Sequence, residues 1–451
     1  MRESSVSPSP LVALSQTSHL QGGGGMLFAL VGIVLQAFSA ECVLRFYEPE
    51  TTLLLQTTGN VSFSVNDTDS SVVFDFVSSD PNVVRVNGHY TLQPDAFGSF
   101  DGSVSLTALR IGYATLMCED VGGNHAAAGV ICSNHEVRVV RGQDSFAVGF
   151  GILIGVLVAL NNVNVGCQLD VRVVLEQVKR PVAPAIGMMC QFLFMPLVSY
   201  GIGMVLLSDS ASRLGLFTIG CCPGGTYSNF YTLLLQGDLD LSVAMTVLST
   251  LGALGMMPMW MYTLGKTVTG NAVPAVPYTN IIISLVVLTV SLAIGLLIQY
   301  RRPKWAKMSE RIVKPCSVSI LLVALAVGVY SYWHLLSLLR GAELAAASSV
   351  AILGFLFGAA AAWIARLNGK QIIAVSLETA IQNTPLALVI LTLSLPQPSS
   401  DLALVPVIML VSVTGVVLLT CFLLLTIYNK YRKNNLLYDT PHDVELKDET
   451  L

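Results

Sequence analysis

This chain is poor in charge. Only 12% of its 451 residues are Asp, Glu, Lys or Arg, while 53% are apolar. With a mean hydropathy of +0.68, that balance excludes an ordinary soluble domain. A net charge of −4 and a pI near 5.9 leave no basic surface for nucleic acid. There is no Walker A sequence to cradle a nucleotide, no GxSxG elbow for a nucleophile, and no His or Cys pair at zinc spacing. The reading is therefore not an enzyme, and no organic cofactor is implied.

What the chain has in abundance is apolar runs long enough to cross a bilayer, which takes about 20 residues each. Nine are read: 146–166, 182–207, 212–235, 241–264, 278–299, 315–333, 343–364, 371–395 and 403–428. Loops bearing Arg172, Lys179 and Arg180, then Arg301 through Lys314, then Arg366 and Lys370, and the tail with Lys430, Arg432 and Lys433, alternate with loops poor in Lys and Arg. The positive-inside rule makes the basic set cytoplasmic. Nine spans then put the N-terminal region outside and the C-terminus inside.

Residues 1–40 read as a signal peptide or signal anchor, because LFALVGIVLQAFSA at 27–40 is short for a span; the start is Met1 or Met26. Residues 41–143 are polar, Gly-rich and alternating. SSVVFDFVSS, NVVRVNG, GSVSLTAL, YATLMCED and HEVRVV read as strands of a small β-sandwich-like extracellular domain. Asn60 and Asn66 head glycosylation sequons. Cys118 and Cys132 would pair in an oxidising compartment, leaving Cys42 over. Residues 144–428 form the membrane domain and 429–451 a polar cytoplasmic tail.

One carboxylate breaks the apolar pattern. Glu378 lies inside a span rather than at its edge, in VSLETAIQNTPLALVILTL, and is followed by Gln382, Asn383 and Pro385. Such a group costs about 2.5–3.5 kcal/mol at membrane depth and usually marks an ion or substrate path. The proline predicts an interrupted helix. The third span is interrupted too, at Cys222-Pro223-Gly224-Gly225, with Ser228 and Asn229 next. These two segments fall in comparable places of two halves, as expected for broken, crossing helices from inverted repeats around a midplane site. Ser242 and Thr246 of the fourth span share a helical face. All these donors are hard oxygens, which suit an alkali or alkaline-earth cation better than a transition metal. A secondary transporter driven by an ion gradient is what remains.

NVNVGCQLD, KRPVAPAIGMMCQFLFMPL, IGCCPGGTYSNFYTLLLQGDLDLSVAMTVLSTLGALGMMP, VPYTNIIISL and LETAIQNTPLAL resemble the bile acid:sodium symporter family over about residues 145–428. The N-terminal domain is similar to that of its P3-type branch, which the ileal and hepatic members lack. The resemblance implies two coupling sodium ions. One would sit at Ser228, Asn229, Ser242, Thr246 and Glu378. The other would sit at Gln191, Glu378, Gln382 and the carbonyls of Thr379 and Ile381. It also implies an anionic head group beside Thr226 and Asn383.

The expectation is an all-α polytopic membrane protein of nine transmembrane helices behind a β-rich extracellular domain. It would be a plasma-membrane symporter of sodium and a bile-acid-like or steroid-conjugate-like organic anion. Its partners are sodium, that anion and the bilayer, with a homo-oligomer left open. The alternative is a non-transporting receptor on the same scaffold, with the extracellular domain as its functional part.

Overall fold

The computed structural model describes residues 42–66, 74–87, 99–120, 130–132, 134–142, 145–169, 171–225, 227–270, 278–302, 304–306 and 341–438. The chain divides into two compact units, the first made of residues up to Leu109 with Tyr113–Arg138, the second of Arg110–Gly112 with Val139 onward.

The first unit is β. Its strands are β1 Cys42–Phe46, β2 Glu50–Leu54, β3 Thr58–Asn66, β4 Phe74–Ser78, β5 Val84–Asn87, β6 Ser99–Ala108, β7 Gly112–Asp120, β8 Val130–Cys132 and β9 His135–Val140. They form a five-stranded sheet, β5-β6-β3-β1-β8, and a four-stranded sheet, β2-β9-β7-β4. β3 pairs antiparallel with both β1 and β6. Period-two alternation explains the inward faces: Val61, Phe63 and Val65 of β3, and Val104, Leu106 and Ala108 of β6, are buried. Phe63 of one sheet meets Phe76 of the other edge-on at 4.9 Å, and Phe46 lies 4.7 Å from His135. The sequence reading found five of these strands and missed β1, β2, β3 and β8. For β3 the signal was present in the Val61, Phe63, Val65 alternation.

Asn60 is exposed on β3, whereas the side chain of Asn66 lies outside the described residues. Cys118 falls in β7 and Cys132 in β8, on different sheets; their sulfurs, and so their expected pairing, lie outside the described residues. The segment 27–40 lies outside them as well.

The second unit is helical. Its helices are α1 Ser145–Gln168, α2 Val171–Lys179, α3 Val182–Leu206, α4 Ser210–Cys221, α5 Tyr227–Leu234, α6 Leu239–Thr263, α7 Gly265–Thr269, α8 Tyr278–Arg301, α9 Gly341–Ile364, α10 Gly369–Ala380, α11 Thr384–Ser394 and α12 Ser399–Tyr438. Five are individually long and apolar enough to cross a membrane: α3, α6, α8, α9 and the first 33 residues of α12. The segments read as the third and eighth spans are each split in two, as α4 with α5 and α10 with α11. The segment read as 315–333 lies outside the described residues.

Two expectations about connections need correction. The basic loop after α1 contains the amphipathic helix α2. The tail expected to begin at 429 is helical as far as Tyr438, because nothing from Val416 onward in α12 is Gly or Pro to stop it. Elsewhere packing is tight where residues are small. A Cβ on Gly295 of α8 would lie 2.1 Å from the Val163 carbonyl of α1, and one on Gly166 of α1 would lie 2.4 Å from the Leu292 carbonyl of α8. Such contacts let backbones of membrane helices touch. Ile283, Val286, Val287 and Val290 of α8 stay exposed, as a lipid-facing side requires.

His135 makes the β unit sensitive to acid. It is fully buried, with Nδ1 2.9 Å from the Glu48 carbonyl and Nε2 2.9 Å from Thr51 Oγ1. A carbonyl only accepts, so Nδ1 carries the proton and Nε2 accepts from the threonine hydroxyl. Burial pushes the imidazole below its ordinary value of 6.5, against a smaller opposing pull from Glu48. The unfolded chain then binds a proton that the folded one refuses. Stability from this group is complete above about pH 6.5 and is lost as the pH falls toward the lowered folded value. Hydrogen-exchange protection factors of β2 and β9 in the full-length protein should therefore drop between pH 7.5 and pH 5.5, and His135→Gln should flatten that dependence.

Candidate functional site

The two helix breaks meet each other. α4 ends at Cys221, and Pro223 has no N–H with which to continue it. α10 is started by a capping box between Asn368 and Gln371 and ends at Ala380. α11 restarts with Asn383 as its N-cap and Pro385 in its first turn. Between the two breaks runs a short antiparallel bridge, Gly224 opposite Gln382. The Gly225 N–H donates to the Ile381 carbonyl at 2.8 Å, and the Asn383 N–H donates to the Pro223 carbonyl at 2.9 Å. Each break thus satisfies backbone groups freed by the other. The glycines are required by space rather than by backbone conformation: a Cβ on Gly224 would fall 2.1 Å from Glu378 Oε1, and one on Gly225 would fall 2.6 Å from the Gln382 carbonyl.

Glu378 sits in the last turn of α10, 2% exposed. Its Oε2 accepts from Ser228 Oγ of α5 at 2.5 Å, and its Oε1 from Thr246 Oγ1 of α6 at 2.9 Å. Asn229 Oδ1 accepts from Ser242 Oγ at 2.8 Å and faces Thr246 Oγ1 at 3.4 Å. Ser228, Asn229, Ser242, Thr246 and Glu378, scattered over 150 residues of sequence, therefore form one connected cluster. Thr246 also lies 3.1 Å from the Ser242 carbonyl, so its single hydroxyl hydrogen faces three acceptors. The cluster is rich in lone pairs and short of protons. Among the described residues no Lys, Arg or His forms an ion pair with Glu378. The carboxylate also stands at the C-terminal, partially negative end of α10. Hydroxyl, amide and carboxylate oxygens in this imbalance suit a hard cation.

A second cluster adjoins the bridge. Gln191 Nε2 donates to the Cys222 carbonyl at 2.7 Å and to Gln382 Oε1 at 2.6 Å. Gln382 Nε2 donates to the Thr379 carbonyl at 2.9 Å. Gln191 Oε1 is buried with no hydrogen-bond partner among the described residues, an acceptor waiting for a donor or a cation. Of the oxygens expected here, the Thr379 and Ile381 carbonyls already accept from Gln382 and Gly225. A carbonyl has two lone pairs, so neither bond closes it to a cation.

The head-group pair stands differently. Thr226 lies outside the described residues. Asn383 is buried, and its Oδ1 accepts from the Leu386 N–H at 3.2 Å while its own N–H is held by Pro223. It fills the N-cap of α11. Two hydroxyls were overlooked. Thr232 Oγ1 donates to Ser242 Oγ at 3.2 Å, and Ser249 Oγ accepts the Gly224 N–H at 3.2 Å while donating to the Thr246 carbonyl. Helical spacing could have found both: Thr232 is four residues after Ser228, and Ser249 is three after Thr246.

Comparison with known proteins bears on the family. Residues 155–337 match the Sodium Bile acid symporter family, a stretch that holds the α4–α5 break and stops short of Glu378. The chain is 30% identical over 280 residues to the sodium-dependent organic anion transporter of Bos taurus, covering 60% of this chain and 73% of that one. It is 33% identical over 251 residues to the human ileal sodium/bile acid cotransporter, covering 55% and 71%. Against the human hepatic sodium/bile acid cotransporter the figures are 32% over 239 residues, 52% and 67%. This likeness shows that the chain is a multi-pass membrane protein belonging to the sodium bile acid symporter family, a family of sodium-coupled transporters.

Proposed function

We propose that this protein is a plasma-membrane symporter that couples sodium to the uptake of an organic anion, of bile-acid or steroid-conjugate type, by alternating access. The carrying observation is the proton-poor oxygen cluster around Glu378. A buried carboxylate with no cationic side chain beside it is stabilised by binding a metal cation, and the transmembrane sodium gradient supplies one. Ser228, Asn229, Ser242, Thr246 and Glu378 hold the first sodium. Gln191, Glu378, Gln382 and the carbonyls of Thr379 and Ile381 hold the second, with the orphaned Gln191 Oε1 as the group that gains most. The relatives' names, sodium-dependent organic anion transporter and sodium/bile acid cotransporter, support the substrate class.

In this reading nine spans carry the site, with the β unit outside the cell and the C-terminus inside. Thr226 and Asn383 meet the anionic head group; Asn383 is the N-cap of α11, and helix N-termini favour negative charge. Two sodium ions per monovalent anion carry one net positive charge inward, so transport is electrogenic.

Uptake of labelled bile acids and steroid sulfates by cells expressing the protein should need sodium and fail in choline. Glu378→Ala should abolish it at wild-type surface abundance. Sodium-independent uptake that survives Glu378→Ala would sink the proposal. Thr246→Ala, which removes one oxygen ligand from the first proposed sodium site, should raise the sodium half-saturation concentration by roughly tenfold or more. Gly224→Ala should abolish uptake as completely as loss of the carboxylate, because its methyl would occupy the place of Glu378 Oε1; wild-type uptake by this variant would refute the crossing geometry.

A further inference from the structure

α3 changes from α-helical to π-helical geometry over Cys190–Phe194, just ahead of Pro196, and Gln191 lies in that wide turn. The cause is local. In a regular helix the Pro196 ring collides with the carbonyl of Phe192, four residues earlier, and offers it no N–H. The widened turn avoids the collision, and the Met195 N–H reaches back five residues to the Cys190 carbonyl. The donor that Phe192 cannot have from Pro196 comes from another helix. The indole Nε1–H of Trp260, near the end of α6, donates to the Phe192 carbonyl at 2.6 Å. α6 runs close by, since a Cβ on its Gly252 would fall 3.0 Å from the Phe192 ring.

We propose that Trp260 is a positioning residue: its indole N–H, bonded to the Phe192 carbonyl that Pro196 cannot serve, holds the π-helical turn that aims Gln191 at the crossing of the broken helices. Gln191 spends its amide N–H groups on the Cys222 carbonyl of one break and Gln382 Oε1 of the other. A regular helical turn would place residue 191 on a different azimuth and withdraw both bonds. Trp260 and the hydroxyls of Ser242 and Thr246 belong to the same helix. One helix therefore lines the first proposed sodium site and sets the geometry of the second. The consequence for sodium rests on the reading given under Proposed function, but the positioning of Gln191 does not.

The test is the sodium dependence of thermal stability in the purified full-length protein, with choline chloride holding ionic strength constant. Trp260→Phe keeps the ring and deletes the donor. It should raise the NaCl concentration for half-maximal stabilisation by roughly five- to tenfold, the equilibrium effect of one buried hydrogen bond. Gln191→Ala should do the same, and the double variant should be no worse than Gln191→Ala alone. Pro196→Ala, which restores an N–H for Phe192 and removes the reason for the wide turn, should also shift it. A Trp260→Phe protein that melts lower in both salts with an unchanged sodium midpoint overturns the proposal, as does an unchanged midpoint in Pro196→Ala. If the wild-type protein shows no sodium response, it is the sodium reading that falls, and hydrogen exchange in choline decides on positioning. Faster exchange of the Gly225 and Asn383 amides in Trp260→Phe then supports it, whereas a change confined to the α3–α6 contact refutes it.

Discussion

Everything at the centre of this protein depends on two backbone hydrogen bonds, Gly225 to Ile381 and Asn383 to Pro223. A helix that stops within a bilayer leaves N–H and C=O groups with no water to meet them, at a cost of several kcal/mol each by transfer estimates. One break could not survive alone. Two breaks that face each other answer the problem, because each supplies the donor or acceptor that the other lacks. The arrangement then has by-products. It brings the last turn of α10, with Glu378, against the first turn of α5 and the wall of α6. It also requires glycine at 224, because the carboxylate stands where a side chain would.

The polar residues around that crossing share one economy: acceptors outnumber hydrogens. Among the described residues, Thr246 has one hydroxyl hydrogen for three oxygens, Gln191 presents an oxygen with no donor, and Glu378 has hydroxyls but no cationic side chain. In a structure held together by internal pairing, such a deficit is the feature that needs a partner from outside. Charge balance and hydrogen-bond balance point to the same kind of partner, a small hard cation.

Much of this was legible in the sequence because rare residues carry it. A carboxylate in an apolar run, and Pro or Gly beside polar residues in two others, mark the site without any coordinates. The family resemblance then picked out the five residues that the fold connects around Asn229 and Glu378. What the sequence could not reveal is pairing at long range. Nothing local says that Gly225 bonds to Ile381, 156 positions away. The π-helical turn at Gln191 was equally hidden: Pro196 was visible, but whether a proline kinks, breaks or widens a helix is decided by what lies beside it, here Trp260. Asn383 shows the opposite failure. Its family role drew attention from the local one, an N-cap before a proline, which helix-capping rules predict. In the β unit, β3 was missed although Val61, Phe63 and Val65 alternate, because its polar partners between them read as loop.

The contact between α1 and α8 has a mechanical meaning. Gly166 and Gly295 put main chain against main chain, so no side chain lies between the helices there to change rotamer or take up slack. A seam of that kind transmits displacement without absorbing it, and the two helices travel as a single strut. Compliance has to be found where long, unbranched side chains fill the gap instead, as Met245 of α6 does against Gly187 of α3.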